Sequence, residues 1–182
     1  MKELALNILD IAENSVRAGA TLTQIRLVDT ADTRTLTITD DGCGMDAATV
    51  ARVTDPFCTT RTTRKVGMGL PLLKLEAEQT GGRLTVTSRA AADHPDDHGT
   101  VVEAVFHLRH IDCLPLGDVA ETMVTLIQGH PDTDFRLEHR RPERPPVTLD
   151  TRELRTVLEE VPLNSYEVLQ WIRDHLREQY AG

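Results

Sequence analysis

The stretch Thr39-Asp40-Asp41-Gly42-Cys43-Gly44-Met45-Asp46 follows a segment that alternates apolar and polar residues like a β-strand. The strand pattern ends on an acidic residue, and two glycines then let the chain bend sharply and leave the main chain open to a flat ring. The stretch therefore predicts a nucleotide-base pocket at the end of a strand.

A second glycine box, Gly67-Met68-Gly69-Leu70, begins an apolar helix pattern that runs to Gly81-Gly82. The first amides of a helix lack partners within the helix, and the helix dipole makes this end positive. Small residues there let a phosphate approach the amides closely. The two boxes together predict a nucleoside triphosphate site, and Arg61, Arg64 and Lys65 between them are candidates for neutralising phosphate charge.

The composition narrows the class of protein. The 182 residues include 40% hydrophobic residues, which favours one well-buried domain with a smaller second one. The formal net charge of −9 disfavours nucleic-acid binding. Apolar runs are short and no signal region precedes the first helix pattern, so we expect a cytoplasmic protein that makes no membrane contact. Three cysteines without a Cys-x-x-Cys pair predict free thiols.

The hydrophobic periodicity predicts helix, two strands, short helix, loop, helix and two strands over residues 1–108. This order predicts an α+β fold with helices on one face of a mixed, mostly antiparallel sheet. Residues 109–116 read as a linker. Residues 117–182 predict a small second α+β domain with a helix, a strand pair and two more helices, and we expect it to dock a partner. We interpret His94 and His98 as solvated residues of an acidic loop at 91–99.

The first predicted helix carries Asp10, Glu13 and Asn14 among apolar residues. Asp10 and Asn14 are one turn apart and share a face. An amide oxygen is a suitable ligand for Mg²⁺, and a carboxylate one turn earlier can orient or deprotonate an attacking hydroxyl. The alternative is that both are surface polar residues of an ordinary amphipathic helix.

Four strings in this order resemble the motifs of the Bergerat-fold (GHKL) ATPases, the superfamily of DNA gyrase, the ninety-kilodalton heat-shock chaperone, histidine kinases and the mismatch-repair ATPase. Residues 11–20 resemble the N box, 40–44 the D-x-G-x-G box, 55–61 the F box in the histidine-kinase style, and 67–70 the second glycine box. The strand pattern at 99–106 resembles the last strand of that domain. The resemblance covers residues 1 to 108 and implies a Bergerat-type two-layer α/β sandwich.

The resemblance also implies ATP and Mg²⁺ as cofactors, with Asn14 as the metal ligand and Asp40 as acceptor for the adenine amino group. Asp10 and Glu13 are the base candidates. The other implied cofactor contacts shape the adenine pocket, support the base through water, or line the lid and phosphates: Gly42, Gly44, Thr60, Arg61, Lys65, Gly67, Met68, Gly69, Leu70 and Thr100.

Two features indicate the branch of the superfamily. Asp10 stands where hydrolysing members carry Glu, and the lid at 58–66 is short, as in histidine kinases and anti-sigma kinases. The chain begins at the N box, so we expect no phosphorylation in cis. We expect an ATP-binding signalling protein, similar to small stand-alone bacterial ATP-binding proteins, with kinase-like activity on a partner in trans or weak ATPase activity. A non-catalytic nucleotide-gated binding module and a slow ATPase coupled to homodimer formation are the alternatives.

Overall fold

The computed structural model describes residues 3–55 and 68–182. Within these residues the periodicity is confirmed element by element, with small differences at the ends. The helices are α1 (Leu4–Arg17), α2 (Ala47–Val50), α3 (Gly69–Gln79), α4 (Val119–Gly129), α5 (Thr151–Leu158) and α6 (Tyr166–Ala181). The strands are β1 (Leu22–Asp29), β2 (Thr33–Asp40), β3 (Arg83–Arg89), β4 (Gly99–His107), β5 (Asp134–Arg140) and β6 (Val147–Asp150).

The strands form one sheet in the order β3-β4-β2-β1-β5-β6. Neighbours pair antiparallel except β1 and β5, which are parallel. The predicted α+β class, with a mixed and mostly antiparallel sheet, is therefore confirmed. Nothing in the described residues closes the sheet into a barrel, since β3 and β6 lie at its two edges.

Side-chain alternation along the strands decides which face the helices cover. In β2, Leu36 and Ile38 are fully buried, whereas the threonines at 33, 35, 37 and 39 are only partly covered. Neighbouring strands continue the apolar row, because Ile38 lies opposite Ile25 of β1 and Val102 of β4. Each such side chain removed from water contributes about 1.5 to 3 kcal/mol, so this face needs a helical cover and the opposite face does not.

Residues 117–182 extend the same sheet and the same hydrophobic core. Ile25 of β1 lies opposite Leu137 of β5, and the buried apolar residues form one continuous cluster across both parts of the chain. The predicted linker also holds the start of α1, because the amides of Leu4 and Ala5 donate to the carbonyls of Pro115 and Leu116, at 3.0 and 2.8 Å. These bonds satisfy helix amides that no side chain caps. Whether residues 109–116 separate two units that fold independently is not decided by these contacts, so the domain boundary stays a prediction.

A polar network fastens α6 to the sheet. Arg34 donates two hydrogen bonds to Asp29, at 2.8 and 2.6 Å, and His139 Nε2 lies 3.2 Å from Asp29 Oδ2. The other ring nitrogen of His139 is 3.1 Å from the hydroxyl of Tyr180, near the end of α6. Burial alone would raise the pKa of Asp29, but Arg34 and His139 lower it to about 2.

Across residues 3–55 and 68–182, no helix combines the length and apolar character needed to cross a membrane.

Candidate functional site

Asp40 ends β2 with both carboxylate oxygens already oriented. Its Oδ1 accepts the Gly42 amide at 2.9 Å, and its Oδ2 accepts the Ser15 hydroxyl at 2.7 Å. An ionised carboxylate offers about four acceptor positions, so two stay available after these bonds. The geometry holds Asp40 in one orientation and leaves it able to accept from a further donor.

The glycines after Asp40 stand where no side chain fits. A methyl group on Gly42 would lie 2.8 Å from the Ala18 Cβ, and one on Gly44 would lie 1.9 Å from the Arg89 carbonyl oxygen. Gly44 also has a φ of +65°, which L side chains rarely adopt. Both glycines are therefore required by close packing of the loop against α1 and β3, and the loop surface stays free of side chains at these points.

The connection between β3 and β4 forms hydrogen bonds to the glycine loop, residues 41–46, from the other side. His98 Nδ1 donates to the Gly42 carbonyl at 2.6 Å, and the Ala91 amide donates to the Cys43 carbonyl at 2.8 Å. The interpretation of His98 as a solvated loop residue is therefore wrong, because its ring is partly buried and holds the loop. His94 is exposed, in agreement with the sequence.

Thr100 lies directly opposite Asp40 in the β2–β4 pairing. Its hydroxyl is 2.8 Å from Ser88 Oγ, which also accepts the Met45 amide at 2.8 Å and donates to the Gly99 carbonyl at 2.9 Å. Thr100 thus belongs to a hydroxyl pair that supports the floor of the loop.

Asp10 of α1 meets the beginning of α3. Gly69 is buried, and a methyl group on it would lie 2.3 Å from Asp10 Oδ2. Glycine at 69 therefore lets the carboxylate approach the first turn of α3, where amides lack partners within the helix. Met68 precedes this turn as an exposed residue, and Leu70 packs against the core. The structure places Asp10 against Gly69, and the nucleotide contacts predicted for Met68, Gly69 and Leu70 stay predictions.

Glu13 and Asn14 face different neighbours. Glu13 Oε1 lies 2.8 Å from His130 Nε2 at the end of α4, and Asn14 Oδ1 accepts from Arg17 at 3.1 Å on the exposed surface. Exchanging an exposed hydrogen bond costs little, so the Asn14 oxygen is accessible to a cation. In the described residues, no group of three or more His, Cys, Asp or Glu side chains is arranged to hold a metal ion. A Mg²⁺ at Asn14 would take its remaining ligands from phosphate and water, as this ion usually does.

The neighbouring Asp41 has a structural role. It accepts the backbone amides of Thr21 and Leu22 at 2.7 and 2.9 Å, and also the Thr21 hydroxyl. Burial tends to raise the pKa of Asp41, but these hydrogen bonds lower it below the usual range. Of the two adjacent aspartates, only Asp40 is directed toward the glycine loop.

The predicted lid at 58–66 and the F box after residue 55 lie outside the described residues. Five candidate site residues lie there too, so their places in the site stay predictions: Thr60, Arg61, Arg64, Lys65 and Gly67. Two side chains that the sequence did not assign to the site now belong to it: Ser15, which orients Asp40, and His98, which holds the glycine loop. Ser15 could have been found from its place beside Asn14 in the N box. No sequence signal distinguishes His98 from His94.

Comparison with known proteins gives the family to which the chain belongs. Residues 1–110 match the family model described as histidine kinase-, DNA gyrase B-, and HSP90-like ATPase. The chain belongs to this ATPase family. The suspected superfamily and the Bergerat-type fold are thereby confirmed.

Two known proteins are similar to this chain over part of their length. The chain is 30% identical over 109 residues to a protein named as a sensor protein of Shewanella frigidimarina, covering 58% of this chain and 16% of that one. It is 43% identical over 58 residues to the sensor protein kinase FleS of Pseudomonas aeruginosa, covering 31% and 14%. The chain thus spans about one sixth of the length of these relatives, to which its ATPase domain is similar.

Among solved structures, the Aquifex aeolicus MutL ATPase domain complexed with ADP matches with a TM-score of 0.52 at 15% identity. The match covers 75% of this chain and 60% of that domain. At this identity the likeness shows a shared fold.

Proposed function

We propose that this protein binds ATP with Mg²⁺ and regulates a partner protein in response to the nucleotide. The observation that carries the proposal is the Asp40 carboxylate, which Ser15 and Gly42 orient at the mouth of a loop where packing excludes side chains. An adenine amino group is a donor that matches the acceptor positions left on Asp40. Membership of the ATPase family and the fold shared with an ADP-bound domain support this assignment.

In this proposal α1 aligns the two ends of the nucleotide. Ser15 orients Asp40 for the base, Asn14 offers its oxygen to Mg²⁺, and Asp10 faces the α3 amides that would bind phosphate. Bound Mg²⁺ would neutralise phosphate charge and favour transfer of the terminal phosphoryl group. All three groups lie on one rigid helix, so their spacing is set before the nucleotide arrives.

Asp10 is the better candidate for a general base, because Glu13 is held by His130. The phosphoryl group would be accepted in trans by a partner protein, at a Ser or Thr hydroxyl or at a ring nitrogen of His. Asp is one methylene shorter than the Glu of hydrolysing family members, so we expect slow hydrolysis of ATP by water.

One observation favours a second candidate, a nucleotide-gated binding module that transfers no phosphate. The pairing of Glu13 with His130 and the hydrogen bond from Thr122 Oγ1 to the Ala5 carbonyl, at 3.1 Å, join the N-box helix directly to α4. Movement of α1 on nucleotide binding would therefore reach the C-terminal part without any chemistry. Such gating requires only that ATP and ADP stabilise different arrangements of the protein.

The deciding experiment incubates the purified protein with γ-labelled ATP and Mg²⁺, with and without lysate of its host, and measures bound nucleotide, free phosphate and labelled protein together. A labelled partner establishes a kinase, whereas bound and unhydrolysed ATP establishes the gated module. Asn14→Ala is the matched variant, because its exposed side chain can be removed without opening a cavity. No nucleotide binding by the wild-type protein would refute both candidates.

A further inference from the structure

We propose that Leu154, Val157, Trp171 and His175, with the carboxylates around them, form a docking surface for a basic amphipathic helix of a partner protein. We call it the α5–α6 surface. The inference deepens the proposed role of residues 117–182 in partner binding and does not depend on the nucleotide site.

The apolar part of the α5–α6 surface is exposed while the neighbouring apolar residues of α6 are not. Val157 is 81% exposed and Trp171 is 50% exposed. By contrast, four other apolar residues of α6 are buried in the core: Val168, Leu169, Ile172 and Leu176. Trp171 stacks on His175 with ring centroids 4.6 Å apart and keeps half of its surface exposed. Tryptophan residues carry much of the binding energy at many protein interfaces.

A cavity of about 300 Å³ continues this surface toward the sheet edge. Its walls include Glu153 and Leu154 of α5, His175 of α6, and Arg136 and Asp150 of the strands. This volume is at the lower end of the range for small-molecule sites, so it suits a long side chain better than a cofactor.

Around the α5–α6 surface, carboxylates without a salt bridge outnumber cationic side chains without one. The arginines of α5 and α6 are held in ion pairs: Arg152 pairs with Asp150 of the cavity wall, Arg155 with Asp134, and both Arg173 and Arg177 with residues of α4 and its cap. Six carboxylates of this segment have no hydrogen bond or salt bridge to a described residue, although Glu153 and Asp174 lie near the neighbouring Arg152 and Arg173: Glu153, Glu159, Glu160, Glu167, Asp174 and Glu178. Arg136, which also lines the cavity, carries a positive charge instead.

These charges select the partner. Nucleic acid or an anionic lipid surface would be repelled, whereas lysines or arginines would find carboxylates on the rim and the exposed face of Trp171 for a cation–π contact. A second copy of this chain fits poorly, because a two-fold interface would place the same acidic rim against itself.

The mode of binding follows from the sheet edge. β6 is the edge strand, but the amide and carbonyl of Thr148 are already paired with the side chain of Gln179, at 2.8 and 3.0 Å. A partner strand would have to break these bonds before it extended the sheet. A helix needs no backbone partner, so an amphipathic helix with apolar anchors is the occupant that this surface accepts.

Trp171 is the single tryptophan of the chain and reports on the site directly. The probe is a synthetic helical peptide of Leu and Lys, compared with the same peptide carrying Glu in place of Lys. We expect the Leu–Lys peptide to shift the Trp171 emission to shorter wavelength with saturation at one peptide per chain. We expect the Leu–Glu peptide to leave the emission unchanged.

Two variants keep the reporter and test the location. Val157→Ser should weaken peptide binding at least about fivefold, since an exposed apolar anchor is lost. Leu75→Ser is the matched control, because Leu75 is 51% exposed on α3, which packs on β3 and β4 at the other end of the sheet. Equal affinity of both variants, equal binding of both peptides, or no saturable shift would overturn the proposal.

Light scattering on the protein alone tests the competing occupant. A mass of two chains together with an already shifted Trp171 emission would assign the surface to a second copy. Titration of the same variants with ATP separates this inference from the proposed function. A variant that loses peptide binding but still binds ATP is altered at the α5–α6 surface alone.

Discussion

Replacement of Asp40 by Asn is the sharpest test of the candidate site, because it changes one oxygen and no volume. The Asn oxygen can still accept the Gly42 amide, and the Ser15 hydroxyl can rotate to accept from the new amide group. The loop should therefore stay folded. What is lost is the negative charge and one acceptor position at the mouth of the glycine loop.

The magnitude follows from the bonds that a bound adenine would make. A hydrogen bond to a charged group contributes about 1.5 to 3 kcal/mol, and 1.4 kcal/mol corresponds to a factor of ten in affinity. Asp40→Asn should therefore weaken ATP binding about 10- to 100-fold, while the free energy of unfolding falls by about 1 kcal/mol at most.

Isothermal titration with ATP and Mg²⁺, combined with urea unfolding, measures both quantities. The adjacent Asp41→Asn is the control, because Asp41 holds the Thr21 and Leu22 amides at the start of β1 and is not directed toward the loop. It should lower stability and leave ATP affinity unchanged. Wild-type affinity in Asp40→Asn, or an equal loss of affinity in both variants, would refute the assignment of the base pocket.

Three further predictions use matched or internal controls. His98→Ala should weaken ATP binding about three- to tenfold, since the hydrogen bond that holds the loop is worth about 1 kcal/mol. His94→Ala should leave ATP binding unchanged. Calorimetric titration of both variants with ATP tests this, and equal ATP affinities would remove His98 from the site. Gly44→Ala should lower the free energy of unfolding by about 2 kcal/mol or more, because Gly44 has a positive φ and an added methyl group would clash with the backbone. Gly129→Ala should not, because an added methyl group there meets no packing neighbour within 4 Å, and equal urea midpoints for the two variants would contradict this prediction. Asp29→Asn should be less stable than the wild type at neutral pH, and this difference should shrink as the pH falls from about 4 to about 2. The reason is that the pKa of Asp29 is about 2 in the folded protein and higher in the unfolded chain. Unfolding curves recorded between pH 2 and 7 test this, and a stability difference that does not change with pH would argue against the network.

Much of the site could be predicted from local sequence because its chemistry lies in short strings. Gly42 and Gly44 are required where the loop packs against its neighbours, and Asp10 and Asn14 share a face through helical spacing. Such requirements are written within a few residues, so they can be identified without knowing the partner elements. The choice between Asp40 and Asp41 came from the resemblance, and the contacts of each side chain now give the physical reason.

The contacts that join distant segments were not predictable in this way. Nothing in the spacing of His98 or His130 indicates that one holds the Gly42 carbonyl and the other pairs with Glu13. These pairs are separated by tens of residues, and their side chains are ordinary polar residues in the sequence. Only the folded chain brings them within hydrogen-bond distance.

The sequence by itself determined the motif order, the helices and strands, and hence the ATPase family, because periodicity and glycine requirements are local properties. Tertiary structure alone decided that β5 joins β1 in parallel, so that the C-terminal segment continues the same sheet and places the α5–α6 surface at its edge. A parallel pair needs a long crossover, and the strand it reaches is chosen by the packing of apolar faces. That choice depends on the whole core at once, which no local pattern records.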